Sequence, residues 1–406
     1  MYKLLLPLWL AAWPACALAV VEPSAPLTLS AALVLADDAH PELAAARHDL
    51  LAEDGMVQQA GLLPNPSLMM ERVDTRRDTR ETTIQLSQPL ELGGKRSARV
   101  QAAQRGREGV AAALAQRRAE VRAETAAAWF AVLAAQEQLR LAQQASELAL
   151  RAASATGRRV VAGKVSPVEE TRAKVAASTV KLDLIKAHST LVTARARLAS
   201  LWGNPSPRFE LVAGEIAALP ELPSLLAQRA LLAQAPAMQV ARAELEHRQA
   251  LARVELSRRT PDVALNIGSK RSEELGRTQA VFGLSVPLPL FDRNQGAVLA
   301  AARQVDKARD GMAAAASRLE AELVAAREEY ASARAQAMAL QSEILPGAQS
   351  AYEAASTGFE YGKFGFLDVL DAQRTLLQAQ SHYLTTLADA HRAQAAISRI
   401  LGAEHE

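Results

Sequence analysis

The feature that most constrains this chain is that it is written twice. "HPELAAAR" carries Pro41 and "APAMQVAR" carries Pro236, 195 residues later, and "LLPNPSL" and "SRRTPDVAL" repeat that offset at Pro66 and Pro261. Pro89 and Lys95 recur as Pro287 and Arg293 at an offset of 198, and Gly163 and Gly203 recur as Gly362 and Gly402 at 199. Landmarks that hold their order and spacing in this way mark two copies of one unit, residues of about 31–203 and 225–402. The stretch between them, residues 204–224, is rich in Pro and Gly and reads as a linker with little regular structure.

Each copy has the same order of elements. A helical segment (about Ala32 to Leu63, then Leu225 to Arg259) leads through a proline to a strand pair. "SLMMERV" and "TTIQLSQPL" form the first pair, "DVALNIG" and "QAVFGLSVPL" the second, with charged tips "DTRRDTRE" and "SKRSEELGRT" between strands. Alternation is visible where Ile84 and Leu86 face away from Thr83, Gln85 and Ser87, and where Phe282, Leu284 and Val286 face away from Val281, Gly283 and Ser285.

The helices that follow are far longer than a globule can enclose. Lys95 to about Val160 and Asn294 to about Thr357 are dominated by Ala, Glu, Gln, Arg and Leu, with Pro346 the one interruption. About 65 residues at 1.5 Å each reach roughly 98 Å, several times an average globular helix. Such helices must lie against other long helices, in a coiled coil or a helical tube. The composition agrees: half the residues are hydrophobic but only 4% are aromatic, so alanine and close helix contact replace a bulky core. The net charge of +2, with both signs interspersed, implies no nucleic-acid partner.

"MYKLLLPLWLAAWPACALAVVEP" reads as a secretory signal peptide, residues 1–19, cut after Ala19 in the small-x-small pattern Ala17-Leu18-Ala19. The chain's one cysteine, Cys16, lies inside it. The competing reading makes Cys16 a lipid-attachment site, but Trp13-Pro14-Ala15 lacks the leucine such a site usually carries three residues upstream. Beyond this segment no run of 18 apolar residues is present, so an exported chain of this kind is soluble, lipid-anchored, or part of a β-barrel.

Strands that face lipid are tolerated only in a closed barrel, because an open edge leaves unpaired N–H and C=O groups in hydrocarbon. Four strands from one chain cannot close one. Either several chains contribute, or the hairpins form a small soluble sheet; the strand pattern alone favours neither.

Candidate chemical sites are few. "ELGGKRS" lacks the first Gly and the Ser or Thr after Lys that a phosphate loop needs, and Gly93-Gly94 instead breaks the strand and re-aims the chain, as Asp292 to Gly296 do in the second copy. The seven histidines include no i, i+3 or i+4 pair, and Met69 and Met70 fall on opposite strand faces, so no metal site and no cofactor are assigned. No nucleophile and base can be paired, so no catalytic residue is named and the chain is not read as an enzyme. The turns after the long helices are more informative. Ser166-Pro167-Val168-Glu169 is a capping box with Pro at the first helical position, so a helix starts at Pro167. At the 199 offset Gly365 takes the cap position and Asp368 the place of Glu169, where the helix dipole favours a carboxylate. Asp371 aligns with Arg172, a turn further in, and its local explanation is an i+3 pair with Arg374.

On "QPLELGGKR", "VPLPLFDRNQG", "YGKFGFLDVLDAQRTL" and its partner "GKVSPVEETRAK", residues 30–402 resemble the TolC family of outer-membrane efflux proteins, and among them the branch serving cobalt-zinc-cadmium type heavy-metal pumps. The resemblance implies a mainly α fold with a small β part: tandem long-helix hairpins forming a helical tube, and four strands per chain contributing to a trimeric 12-stranded outer-membrane barrel. It divides the chain into the signal peptide, a first efflux repeat (20–203), the linker (204–224), a second repeat (225–402) and a tail (403–406). The implied function is the outer-membrane exit duct of a tripartite RND-type pump. Its partners would be two further copies of itself, a periplasmic adaptor, an inner-membrane RND transporter and outer-membrane lipid. The exported substrate would be divalent metal cations, with a duct for drugs or secreted protein as the alternative. A periplasmic adaptor or structural coiled-coil protein is the alternative of another class, which the duplicated strand pairs oppose. In this family the turns after the long helices form the periplasmic mouth, so Asp368 and Asp371 would line a cation-selective constriction. Gly163, Lys164, Ser166, Gly362, Lys363 and Gly365 would meet the adaptor, although "AGKVS" and "YGKFG" carry lysine where an apolar residue is common.

Overall fold

The computed structural model describes Glu22 and residues 26–402. The signal peptide, Cys16 and the tail lie outside the described residues. Two helices open the first copy, α1 (Leu29–Ala39) and α2 (Pro41–Ala60). The sequence reading had them as one segment. They separate because Pro41 lacks an N–H and biases His40 to an extended conformation (ψ 123°), and the His40 ring then accepts the free Glu42 N–H. Strands β1 (Ser67–Val73) and β2 (Glu81–Leu90) follow, then α3 (Lys95–Val161), 67 residues without a break and about 100 Å long, and α4 (Pro167–Ser200).

The second copy runs α5 (Leu225–Leu231), a 3₁₀ turn, α6 (Pro236–Ser257), β3 (Val263–Ser272), β4 (Arg277–Ser285), α7 (Gln295–Ala339), α8 (Leu345–Glu360) and α9 (Phe366–Leu401). A π-helical turn, Leu340–Ile344, joins α7 to α8 immediately before Pro346. It absorbs the hydrogen bond that proline cannot make, so the helix continues where α3 needs no such device. Strand-to-helix turns are sharp in both copies. Gly93 and Gly94 adopt φ of 68° and 73° in the first, and in the second Asn294, rather than Gly296, takes the left-handed position (φ 57°), its amide donating to Glu255.

The four strands form one antiparallel sheet in the order β1-β2-β3-β4. The second hairpin reaches further than its sequence suggests: Ser269 to Ser272 belong to β3 and Arg277 and Thr278 to β4, leaving a four-residue tip. Register explains it, since Lys270, Arg271 and Ser272 pair with Thr83, Thr82 and Glu81, and Lys270 binds Glu81 at 2.7 Å. β4 stops at Ser285, two residues before Pro287. Pairing also sorts the side chains. Leu68, Met70, Ile84, Leu86, Leu265, Ile267, Phe282 and Leu284 share one face, and all are exposed. Thr83, Gln85, Ser87, Asn266, Gly268, Lys270, Gln279 and Gly283 share the other and are half-buried. The apolar face is therefore the more exposed one, and both sheet edges, β1 and β4, are unpaired among the described residues.

Midway down the helices a belt holds the copies together. Leu27, Trp129, Leu198, Trp202, Phe209, Val212, Ile216 and Leu387 form one buried cluster from α3, the end of α4, the linker and α9. The linker is irregular, as its prolines dictate, but it is packed: Val212 bridges Leu27, and Gly214 lies so close to the Trp129 ring that a Cβ there would come within 2.1 Å of it. Glu22, only 6% exposed, accepts from Trp202 Nε1 at 2.8 Å, from the Asn204 amide and from the N–H groups of Arg208 and Phe209. Burial opposes its charge, but the four donors outweigh burial and hold the carboxyl below the usual glutamate range. His391, stacked on Phe130 at 3.5 Å, donates from Nε2 to the Ile216 carbonyl at 2.8 Å, and burial lowers its pKa so that the ring stays neutral.

Candidate functional site

The two helix tips stand at the end of the molecule opposite the sheet, and both are built the same way. In the first, Lys164 N–H donates to Arg159 O and Gly163 N–H to Val160 O, both at 2.9 Å; in the second, Lys363 N–H donates to Gly358 O at 2.8 Å and Gly362 N–H to Phe359 O at 3.1 Å. This is the Schellman ending of a helix. It needs a left-handed residue, supplied by Gly163 (φ 71°) and Gly362 (φ 73°). Lys164, Ser166, Lys363 and Gly365 are exposed beside them.

The next helix starts differently in each copy. Ser166 Oγ accepts from Val168 N–H at 3.3 Å, but Glu169 does not return to the cap as the expected capping box requires; it lies 3.6 Å from Arg172 instead. In the second copy the cap is Gly365, which has no side chain, and Asp368 Oδ2 closes the reciprocal half by accepting Gly365 N–H at 2.8 Å. Asp368 is thus held by the backbone of its own turn. Asp371 is exposed on the same side of α9, while Val369, Gln373 and Leu376 between and beyond are buried. Its carboxylate has no partner among the described residues, so the expected Asp371–Arg374 pair does not form within the chain.

Three tip features were not legible in the sequence. Phe364 seats its ring on Gly358, where a Cβ would lie 2.1 Å from it. Arg159 of the first tip stands 4.3 Å over the Phe359 ring and donates to the Phe359 carbonyl at 3.4 Å, tying the tips together. Gln373 Nε2 is buried without a partner next to the aspartates. The spacing of Gly358 from Gly362 was the one signal available for the first; the other two are long-range. Among the described residues, no group of three His, Cys, Asp or Glu is placed to hold a metal ion, and no helix is long and apolar enough to cross a membrane.

The family described as "Outer membrane efflux protein" matches residues 32–204 and again 227–403, one match per copy. The chain is 46% identical over 381 residues to the cobalt-zinc-cadmium resistance protein CzcC of Cupriavidus metallidurans, covering 94% of this chain and 91% of that one. Two solved structures share the fold at low identity. A membrane protein from Pseudomonas aeruginosa superposes with a TM-score of 0.81 at 18% identity, covering 92% of each chain. The open state of the Neisseria gonorrhoeae MtrE outer membrane channel gives 0.77 at 20%, covering 92% of this chain and 88% of that one. The duplicated strand-and-long-helix unit, its exposed apolar sheet face and the family match over both copies lead to one conclusion: the chain belongs to the outer membrane efflux protein family, a channel protein of the outer membrane and not an enzyme.

Proposed function

We propose that this chain is the exit duct of a tripartite RND-type pump that expels divalent heavy-metal cations. The observation that carries the metal is the 46% identity, over nearly the full length of both chains, to a protein named for cobalt, zinc and cadmium resistance. Disruption of the gene is expected to sensitise cells to cobalt, zinc and cadmium salts and to leave sensitivity to a panel of drugs unchanged; the opposite pattern would favour a duct for organic compounds.

The duct is a homotrimer. Two unpaired sheet edges in each chain support this, because three copies joined β4 to β1 leave no edge in the bilayer. A heat-modifiable trimer in an outer-membrane fraction is the expected result. At the periplasmic mouth, threefold symmetry turns Asp368 and Asp371 into six carboxylates whose field favours cations. Asp371, with no partner among the described residues, is the better filter residue of the two. The tips at Gly163, Lys164 and Ser166 and at Gly362, Lys363 and Gly365 form the adaptor contact, which cysteines placed there would report by cross-linking to the adaptor. Domain limits follow the two copies, with residues 204–224 as the strap between them. The pump's inner-membrane transporter supplies the energy.

A further inference from the structure

The exposed apolar face of the sheet ends in arginine at its outer rim. Register places Arg72, Thr82, Arg271 and Thr278 side by side in one row across β1, β2, β3 and β4. That row shares its face with the largely apolar rows below it: Met70, Ile84, Ser269 and Ala280, then Leu68, Leu86, Ile267 and Phe282, down to Leu90 and Val263. From Ser285 to Thr278 the strand rises about 24 Å at 3.4 Å per residue. Allowing for strand tilt, that height is comparable to the roughly 25 Å apolar band of an outer-membrane barrel. Both hairpins enter and leave the sheet at the helix end, so the arginine row lies at the far end, where the outer leaflet's headgroups begin.

Arg72 and Arg271 are not fully neutralised by the acids they touch. Arg72 is exposed and has no partner among the described residues. Arg271 shares Glu273 with Arg80, at 3.1 and 3.6 Å, so two guanidinium groups divide one carboxylate. Three neighbouring acids are turned elsewhere. Asp74 is used by its own loop, accepting from Thr75 N–H at 2.7 Å, from Arg76 N–H and from the Thr79 hydroxyl, while Glu71 and Glu81 lie on the opposite face, Glu81 against Lys270. Asp78 and Glu274 belong to the tips beyond the strands. Arg72 and Arg271 flank Thr82 two strand spacings apart, about 10 Å between Cα atoms, a span two arginine side chains can close on one oxyanion.

We propose that Arg72 and Arg271, with Thr82 between them, form a binding site on the outside of the sheet for the phosphate headgroup of an anionic glycolipid in the outer leaflet. The acyl chains of that lipid lie on the Ile84, Ile267 and Phe282 rows directly beneath. Arginine suits the role because its planar fork holds a phosphate at two oxygens, and its stem crosses the apolar boundary while the head stays at the interface. The proposal rests on the sheet lying in the outer membrane.

The test is native mass spectrometry of the purified full-length protein in neutral detergent, titrated with diphosphorylated lipid A, with its dephosphorylated form, and with inorganic phosphate. Diphosphorylated lipid A is expected to bind the wild type, and Arg72→Gln with Arg271→Gln to weaken it roughly 25-fold, a factor of about five for each arginine at a charged membrane surface. Lys270→Gln, one residue away on the opposite face, should leave binding unchanged, and the dephosphorylated lipid should not distinguish the variants. Equal binding by the double variant and the wild type overturns the site, as does an equal loss from Lys270→Gln. Competition by inorganic phosphate at the concentration of the lipid overturns the lipid as occupant. Should the double variant not assemble, each single substitution carries the same fivefold expectation. Absence of the protein from the outer membrane would defeat the underlying location, a result the titration in detergent does not depend on.

Discussion

The belt and the second tip both place acidic groups among apolar residues, and they treat them in opposite ways. In the belt, Glu22 is nearly inaccessible and four donors converge on it, two side-chain groups and two backbone N–H groups drawn from the turn after α4 and the start of the linker. At the tip, Asp368 has one backbone donor and Asp371 has none. The graded series separates carboxylates that hold the fold from a carboxylate the fold leaves free. A charge kept at an exposed position, with no partner among the described residues, contributes little to the chain's own stability.

The largest effect is expected at the belt. Glu22→Ala removes the acceptor for four donors, two of them fully buried, and should cost about 3 kcal/mol, since unsatisfied buried groups lose their full desolvation penalty. Trp129 and Trp202, the tryptophans among the described residues, both stand in this cluster, so denaturation followed by tryptophan fluorescence reads the belt directly. The pH dependence has a definite sign. The folded carboxyl lies below its ordinary 4.5, so its contribution is present in full above that value and is lost as pH falls through the lower, folded one. The wild type should therefore weaken in acid below about 4.5 and Glu22→Gln should not share that step. Equal acid sensitivity in both would remove Glu22 as the cause.

The second tip is next. Gly358→Ala puts a methyl where the Phe364 ring sits and should cost about 1 to 3 kcal/mol locally as the ring is expelled. Gly347→Ala, in the same helix with open space around it, should be neutral or stabilising by up to about 1 kcal/mol. Hydrogen exchange across residues 358–366 distinguishes the two, and equal protection in both variants would show that the Phe364 seat has no energetic weight.

What was legible in the sequence follows the range of the interaction. The offset between Pro41 and Pro236, and between Gly163 and Gly362, exposes the duplication because each landmark answers a local backbone need: an N–H that proline lacks, or a left-handed turn. Strand alternation around Ile84 and Phe282 is local too, and so is the helix start at Pro167. Asp368 was correctly placed in the first turn of α9, though its bond to Gly365 N–H is the reciprocal half of a capping box whose other half glycine cannot make. Glu22, His391 and the Arg159–Phe359 contact were invisible because their hydrogen-bond partners lie between 175 and 200 residues away. The π-helical turn before Pro346 was hidden for another reason: a proline in a long helix announces a disturbance but not which one.

A smaller effect sharpens the contrast within the tip. Asp368→Ala loses the bond to Gly365 N–H and the favourable dipole interaction, about 1 kcal/mol. Asp368→Asn keeps an acceptor and should lose only the charge term, roughly 0.3 to 1 kcal/mol. Glu169→Ala, its counterpart in the first copy, gives up only an exposed pair with Arg172 and should cost about 0.2 to 1 kcal/mol. If Asp368→Ala and Glu169→Ala frayed their helices equally in hydrogen exchange, the two copies would not differ as their bonding indicates.

The smallest stability effect belongs to Asp371. With no partner in its chain, Asp371→Ala should change stability by no more than about 0.5 kcal/mol, the range of an ordinary surface substitution. In a planar bilayer the same variant should lower single-channel conductance and cation preference, because three carboxylates leave a narrow ring at once. Asp368→Ala should show the reverse balance, more loss of stability and less of selectivity. The discriminating outcome is the pair of ratios: an Asp371→Ala channel with unchanged conductance and selectivity would make that aspartate an idle surface charge. A destabilised Asp371→Ala protein would mean that assembly supplies the partner the single chain lacks, most simply a basic group of the next copy. The carboxylate would then belong with Glu22 among the groups that hold the structure, and the filter would have to be sought elsewhere along the tube.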